Sequence, residues 1–381
     1  QKERPRSQDH EPIFVENGAF YVFGASNFKA TNCRIHGNVD IYEMEEKRTA
    51  FEGILSGPIS ENFGARLAIR MTDASDGLIK NAAVAQSVNP LDIATMTRPG
   101  PYAVPAPSDD YWPGQESSYG RLTLNWDASE NLSVKLKVSR TDYESNSPSG
   151  ARELTYCGAN NGVAQQGFPE NDCVGDRVIA ENPFPGKYAQ SHSRMGRFGG
   201  ALGEDFESTN ITLSLDYTGE NYDVVAYLND HENETYWVGD FDAGGLPNVM
   251  ASENNTFDSS SIEIRANSKF DGALNFVAGI YMQDTDRFFG QDVMTATLMN
   301  TAAPQVGYIP GDYTHMLYDK RSESDGETSS LYFEVISDIS DHTQVTAGVR
   351  YIEEEKDSYF KQPYVNPAVL GLWIPASVGQ I

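Results

Sequence analysis

Apolar and polar residues alternate along this chain in paired runs separated by tight polar turns. From Tyr119 to Trp126, Leu122, Leu124 and Trp126 hold one phase while Arg121, Thr123 and Asn125 hold the other. After a turn at 127–131 the pattern resumes from Leu132 to Tyr143, with Leu132, Val134, Leu136 and Val138 set against Ser133, Lys135, Lys137 and Ser139. Side chains change face at every residue of a strand, so each run has one apolar face and one wet face. Further hairpins are predicted at Ile211–Tyr217 with Tyr222–Tyr236, Ser259–Phe270 with Leu274–Phe288, and Ser329–Ile339 with Gln344–Glu354, and an earlier one at Phe51–Ile59 with Ala65–Asp73. Their turns, 60–64, 218–221, 271–273 and 340–343, are rich in small and Asx residues that tolerate tight backbone geometry.

A soluble sandwich shows the same period, so alternation alone does not choose between a protein core and a bilayer. The connections do choose. Between hairpins the chain runs through long stretches without alternation, about 78–116, 145–209, 242–256 and 293–327. Soluble domains rarely carry so many loops of that length. Short turns on one rim and long loops on the other describe an all-β protein: an antiparallel transmembrane β-barrel segment of about ten strands.

Composition changes the picture little. The chain carries 28 basic and 55 acidic residues, a net charge of −27, which argues against nucleic acid as a partner. No stretch approaches the roughly 20 consecutive apolar residues of a membrane helix, so a membrane-spanning form must close its backbone hydrogen bonds as a barrel in outer-membrane lipid. Aromatic residues near strand ends (Tyr119, Trp126, Tyr143, Tyr217, Tyr236, Trp237, Phe288, Phe289) suit either interfacial girdles or ordinary strand preference.

Several segments resemble TonB-dependent outer-membrane receptors. These are Glu52–Ile59 with Ala65–Arg70 and Asp76–Asn81, Ile262–Arg265 leading through Phe270-Asp271-Gly272 to Phe276–Tyr281, and Leu331–Glu334 followed by Ala347–Tyr351. The resemblance covers residues 51–381. It implies active uptake of a scarce small-molecule ligand, such as an iron chelate, a cobalamin-like cofactor or a glycan, powered through the TonB complex by way of a plug domain. The family's barrel has 22 strands, so this chain is expected to be a fragment of roughly half a wall, without plug or signal peptide and not transport-competent alone. Its open edges are expected to pair or aggregate.

Residues 1–50 read differently. Arg4–Asp9, Val15–Val22, Gly37, Ile41–Met44 and Arg48 resemble the C-terminal part of acylneuraminate cytidylyltransferases, enzymes that activate sialic-acid-type sugars with CTP. Seven basic and eight acidic residues lie in 1–50, against 21 and 47 in 51–381, so two unlike compositions meet there. The expectation is a joined, chimeric chain; the simpler alternative is a divergent first hairpin, with Asn38–Glu43 beside Ala50–Leu55.

No catalytic constellation emerges, no cofactor is expected, and the chain is read as a non-enzyme. The six histidines (His10, His36, His192, His231, His315, His342) lack zinc-site spacing and are expected at the surface or in loops. Acidic clusters at 204–205, 240–242 and 353–357 are read as solvated rims rather than calcium sites. Cys157 and Cys173 fall in one long loop and would staple it in an oxidising compartment, leaving Cys33 alone. Ligand contacts are expected from aromatic and charged loop residues that stack on rings or pair with anions: Tyr102, Tyr111 and Trp112; Tyr188, His192 and Arg194; Tyr308, Tyr313, His315 and Tyr318. The rival readings are a remnant of the cytidylyltransferase and a secreted β-rich carbohydrate-binding module.

Overall fold

The computed structural model describes residues 47–147, 153, 155, 175–189, 192, 194–242, 244–303 and 313–369. The segment up to residue 46, Cys157, Cys173 and Tyr308 lie outside the described residues. Ten strands form one sheet in strict sequence order: β1 (Lys47–Ser60), β2 (Phe63–Asp76), β3 (Gln115–Ser129), β4 (Leu132–Ser145), β5 (Gly203–Thr218), β6 (Tyr222–Asp240), β7 (Met250–Ser268), β8 (Leu274–Met294), β9 (Met316–Ser340) and β10 (Thr343–Val365). Every neighbouring pair is antiparallel.

The tight turns stand where the sequence places them, and asparagines stitch that rim together. Asn62 Nδ2 donates to Asp127 O at 3.2 Å, and Asn131 Nδ2 donates to Thr218 O at 2.8 Å, so each turn is tied to the next hairpin. The loop-side ends run further than the alternation suggests. β9 begins at Met316, inside the stretch expected to be irregular, because there both faces are polar and the period carries no signal.

Directly opposed residues share a face, so register converts the sequence period into two continuous surfaces. One row runs Met282, Ile262, Leu228, Leu213, Leu136, Leu124 and Ala65 across seven strands. The next runs Leu331, Ile280, Ile264, Ala226, Leu215, Val134, Trp126 and Phe63. The opposite face carries Thr328, Gln283, Ser261, Asn229, Thr212, Lys137, Thr123 and Arg66 in a single row. Hydrogen bonds run along this polar face, as from Thr212 Oγ1 to Asn229 Oδ1 at 2.9 Å and from Gln283 Nε2 to Ser259 Oγ at 3.0 Å.

Among the described residues, the apolar face meets no second layer at the depth of these apolar rows. Leu55 is 77% exposed, Ile339 65% and Leu331 60%, which no protein interior would leave open. On β9 the outward apolar run is Leu331, Phe333, Val335 and Ile339, about the nine to eleven residues a tilted strand needs to cross a bilayer. Beyond it the same face turns acidic, with Glu323, Asp325 and Glu327 beside Asp286 and Asp284. The boundary climbs across the sheet: Leu55, Leu67, Leu122, Val138 and Ile211 share one row with Asp230, Asp284 and Glu327. A band cutting obliquely across register is what tilted strands in a flat membrane produce. The fold is an antiparallel transmembrane barrel wall, and no helix among the described residues is long and apolar enough to span a membrane.

Candidate functional site

The buried core lies at the loop ends of the strands. Short pairings knit the long loops together: Tyr111–Trp112 and Val178–Ile179 flank Ile79–Asn81, Gln86–Val88 pairs with Tyr102–Val104, and Leu91–Asp92 pairs with Leu298–Met299. Val88, Val104, Trp112, Phe184, Met195 and Tyr313 then pack against Val238, Met250 and Met294 at the strand tips. Asp92 anchors one joint by accepting from Thr301 Oγ1 at 2.7 Å and Thr95 Oγ1 at 2.9 Å. The Thr301 hydroxyl leads in holding its carboxyl down to about 2.

Three of the expected loop residues come together. The Tyr188 ring lies 4.8 Å from Tyr102 and 4.4 Å from His315, centroid to centroid, and Tyr102 Oη donates to Ala296 O. His315 Nδ1 is 3.2 Å from Thr295 O and 3.1 Å from Leu298 O; since both are carbonyls, Nδ1 carries the proton. Burial pushes the Tyr102 phenol well above its ordinary range.

A second group is charged and fully enclosed. Arg194 Nη1 donates to Asp292 Oδ1 at 2.7 Å and Asp319 Oδ1 at 3.4 Å, and Tyr313 Oη donates to Asp319 Oδ2 at 2.8 Å. His192 Nδ1 lies 3.2 Å from Asp292 Oδ2, and burial, then the neighbouring Arg194, lower its pKa to about 4. Gly290 makes room, since a Cβ there would lie 2.4 Å from the Arg194 guanidinium. Asp292 and Asp319 continue, two residues at a time, the face that carries Ile280 and Leu331. This group therefore fastens His192 and the segment 194–202 to the bilayer side of the wall, beyond the membrane band.

Two expectations need correction. His231 stands within strand β6, neither at the surface nor in a loop, while His192 and His315 lie in loop segments as expected but are buried there. Asp240 and Asp242 are buried as well, not a solvated rim: Asp242 accepts from the backbone N–H groups of Gly244, Asn248 and Val249 and shapes the turn after β6. Of the remaining expected contacts, Trp112 is buried, Tyr111 is exposed at the pairing with Ile79–Asn81, and Tyr318 stands on the polar face with its hydroxyl 3.0 Å from Gln291 Oε1.

That polar face carries a wider surface, of which only Tyr318 is among the expected ligand contacts. In phase with Asn229 and Gln283 stand Trp237, Phe257, Phe289 and Tyr318, interleaved with Asn233, Asn255, Gln291 and Lys320. Lys320 Nζ sits 5.1 Å from the Phe289 ring centre, and Gln291 Nε2 donates to Glu253 Oε2 at 2.9 Å. The usable signal was phase: Trp237 and Phe289 alternate with the wet residues, whereas Tyr236 and Phe288 alternate with the apolar ones. Rings, amides and hydroxyls presented side by side can bind sugars or aromatic chelators. No group of His, Cys, Asp or Glu among the described residues is arranged to hold a metal ion.

No protein-family model matches the chain, and no curated protein matches it either. Solved structures do. The ferripyoverdine receptor of the outer membrane of Pseudomonas aeruginosa, bound to ferripyoverdine, is 9% identical with a TM-score of 0.50 over 84% of this chain and 38% of its own. FpvAI in its complex with pyocin S2 gives 9% identity and 0.50 over 84% and 37%. The ferric yersiniabactin uptake receptor FyuA from Yersinia pestis gives 14% identity and 0.49 over 83% and 38%. This chain thus spans well under half the length of each, and what it shares with them is the fold of an outer-membrane receptor wall.

Proposed function

We propose that the chain forms part of the barrel wall of an outer-membrane, TonB-dependent receptor that takes up a scarce ligand, an iron chelate, a cobalamin-like compound or a glycan. The observation that carries this reading is the two-faced wall: an oblique apolar band on one side, and on the other a continuous surface of hydroxyls, amides and rings rising past it. Any strand wall that separates lipid from water needs that division. The likeness to the ferripyoverdine receptor supports the direction of the reading. In it, residues 1–50 are a separate piece from 51–381, TonB coupling belongs to a plug domain of the whole receptor, and the chain catalyses nothing. The loop residues Tyr102, Tyr111, Trp112, Tyr188, His192, Arg194, Tyr313, His315 and Tyr318 shape the outer mouth, most of them by fixing loops and Tyr318 by facing the lumen.

Trp237 supplies a test. In lipid nanodiscs, ferric catecholate, hydroxamate and citrate complexes, vitamin B12 and plant oligosaccharides are titrated against tryptophan fluorescence. One class is expected to change the signal saturably, with the change reduced in Trp237→Phe. Silence toward every class, or a response unaltered in Trp237→Phe, would contradict the reading.

A further inference from the structure

Strands β7 and β8 meet at a short turn, 269–273, and so do β9 and β10, at 341–342; β8 and β9 are joined at their outer ends through 295–315. A tight turn fixes the register of its hairpin, and a connection of that length does not. Alternation leaves the same question open. A slip of one residue would turn every apolar side chain to the wrong face, but a slip of two keeps them all toward lipid. With 21 and 25 residues, β8 and β9 could slip by two and keep most of their pairing.

A notch and a ring occupy this seam. Gly279 on β8 directly opposes Tyr332 on β9, on the polar face. A Cβ at Gly279 would collide with the Tyr332 ring and hydroxyl, so the ring lies across the glycine. Tyr332 Oη reaches past β8 and donates to Glu263 Oε1 on β7 at 2.9 Å. On the other side, the Arg350 guanidinium of β10 lies 5.7 Å from the Tyr332 ring centre and donates to Ser330 Oγ at 3.0 Å. One side chain thereby touches three neighbouring strands. Further along the same seam Gly326 opposes Thr285, whose hydroxyl donates to Gly326 O at 3.3 Å; a Cβ at Gly326 would lie 2.8 Å from that hydroxyl. Glycine inside a strand weakens it and marks close approach, and an aromatic ring laid over it restores the lost contact. A slip of two residues would set Tyr332 against Tyr281 or Val277, where a side chain fills the gap.

We infer that Tyr332 and Gly279 form a register lock. Lipid cannot distinguish alignments that differ by two residues, and the ring seated in its notch selects one of them for β8 and β9. All the contacts involved lie within the wall, so the lock is independent of the ligand and of any further part of the receptor.

The test inserts the whole chain, with Cys33, Cys157 and Cys173 changed to serine, into lipid vesicles and oxidises cysteine pairs placed elsewhere on the seam. R287C/S324C reads the register described, while F289C/S324C and R287C/S322C read slips of two residues in the two directions. The first pair is expected to dominate. Tyr332→Ala is expected to lower its yield relative to the slipped pairs about tenfold, the combined worth of a ring contact and a hydrogen bond. Gly279→Ala is expected to act in the same direction, and to add nothing once Tyr332→Ala has removed the ring. Tyr332→Phe keeps the ring and is expected to retain most of the preference. Failure of Tyr332→Ala to insert while Tyr332→Phe inserts would equally support the lock. An unchanged ratio in inserted Tyr332→Ala, a comparable loss in Tyr332→Phe, or a parent chain that favours a slipped pair or does not insert would overturn it.

Discussion

Arginine at Ile280 is expected to cost about 2–4 kcal/mol of stability in lipid vesicles, while arginine at Gln283 on the other face costs under about 1 kcal/mol. Ile280 sits within the outward run Phe276, Ala278, Ile280 and Met282, and its row of neighbours, Leu331, Ile264 and Ala226, is apolar on both sides. A guanidinium there meets hydrocarbon with no partner in reach. Gln283 shares its row with Ser261 and Thr328, where a cation stays hydrated. Denaturant unfolding in vesicles, followed by tryptophan fluorescence, reads the difference. Equal losses at the two positions would mean that the faces are not distinguished by lipid.

Replacing Arg194 with methionine is expected to unfasten the loop core while leaving the lower wall intact. The substitution preserves much of the side chain's length but strands Asp292 and Asp319, both fully buried, without their cation. Breaking one partner out of a buried ion pair costs about 3–5 kcal/mol, mostly from the charges left behind. Hydrogen exchange should therefore accelerate in 194–202 and 313–316, and remain slow in the β3–β4 hairpin. Restoring neutrality with Asp292→Asn and Asp319→Asn on the Arg194→Met background is expected to recover much of the protection, because the buried charges are then gone. Unchanged exchange in Arg194→Met would show that the apolar packing of Phe184, Met195 and Tyr313 holds the loops unaided.

The sequence revealed the rim of short turns and the membrane-depth parts of the strands, because lipid on one side and water on the other impose a strict period of two. It did not reveal where β9 begins. From Met316 to Ser329 both faces meet water or loops, so Glu323, Asp325 and Glu327 carry no phase contrast with Ser322 and Ser324. The loop core was hidden for a different reason. Arg194, Asp292 and Asp319 are separated by 98 and 125 positions from cation to carboxylate, and no local pattern links them. Tyr102, Tyr188 and His315 were recognisable as chemistry-bearing loop residues, yet their mutual packing depends on three loops converging. Trp237 and Phe289 were legible in principle: each stands beside another aromatic, and only the phase of the surrounding alternation assigns one ring to the lumen and its neighbour to the opposite face.

The most direct measurement places single nitroxide labels on the reconstituted chain, with Cys33, Cys157 and Cys173 replaced by serine. Leu213, Leu228, Ile280 and Leu331 sample one face, and Thr212, Asn229 and Gln283 the other. Labels at the first set are expected to collide with oxygen dissolved in the bilayer and to be shielded from a water-soluble nickel chelate, with the reverse at the second set. Labels at the first set that are shielded from both reagents, as inside a packed protein, would contradict the membrane wall.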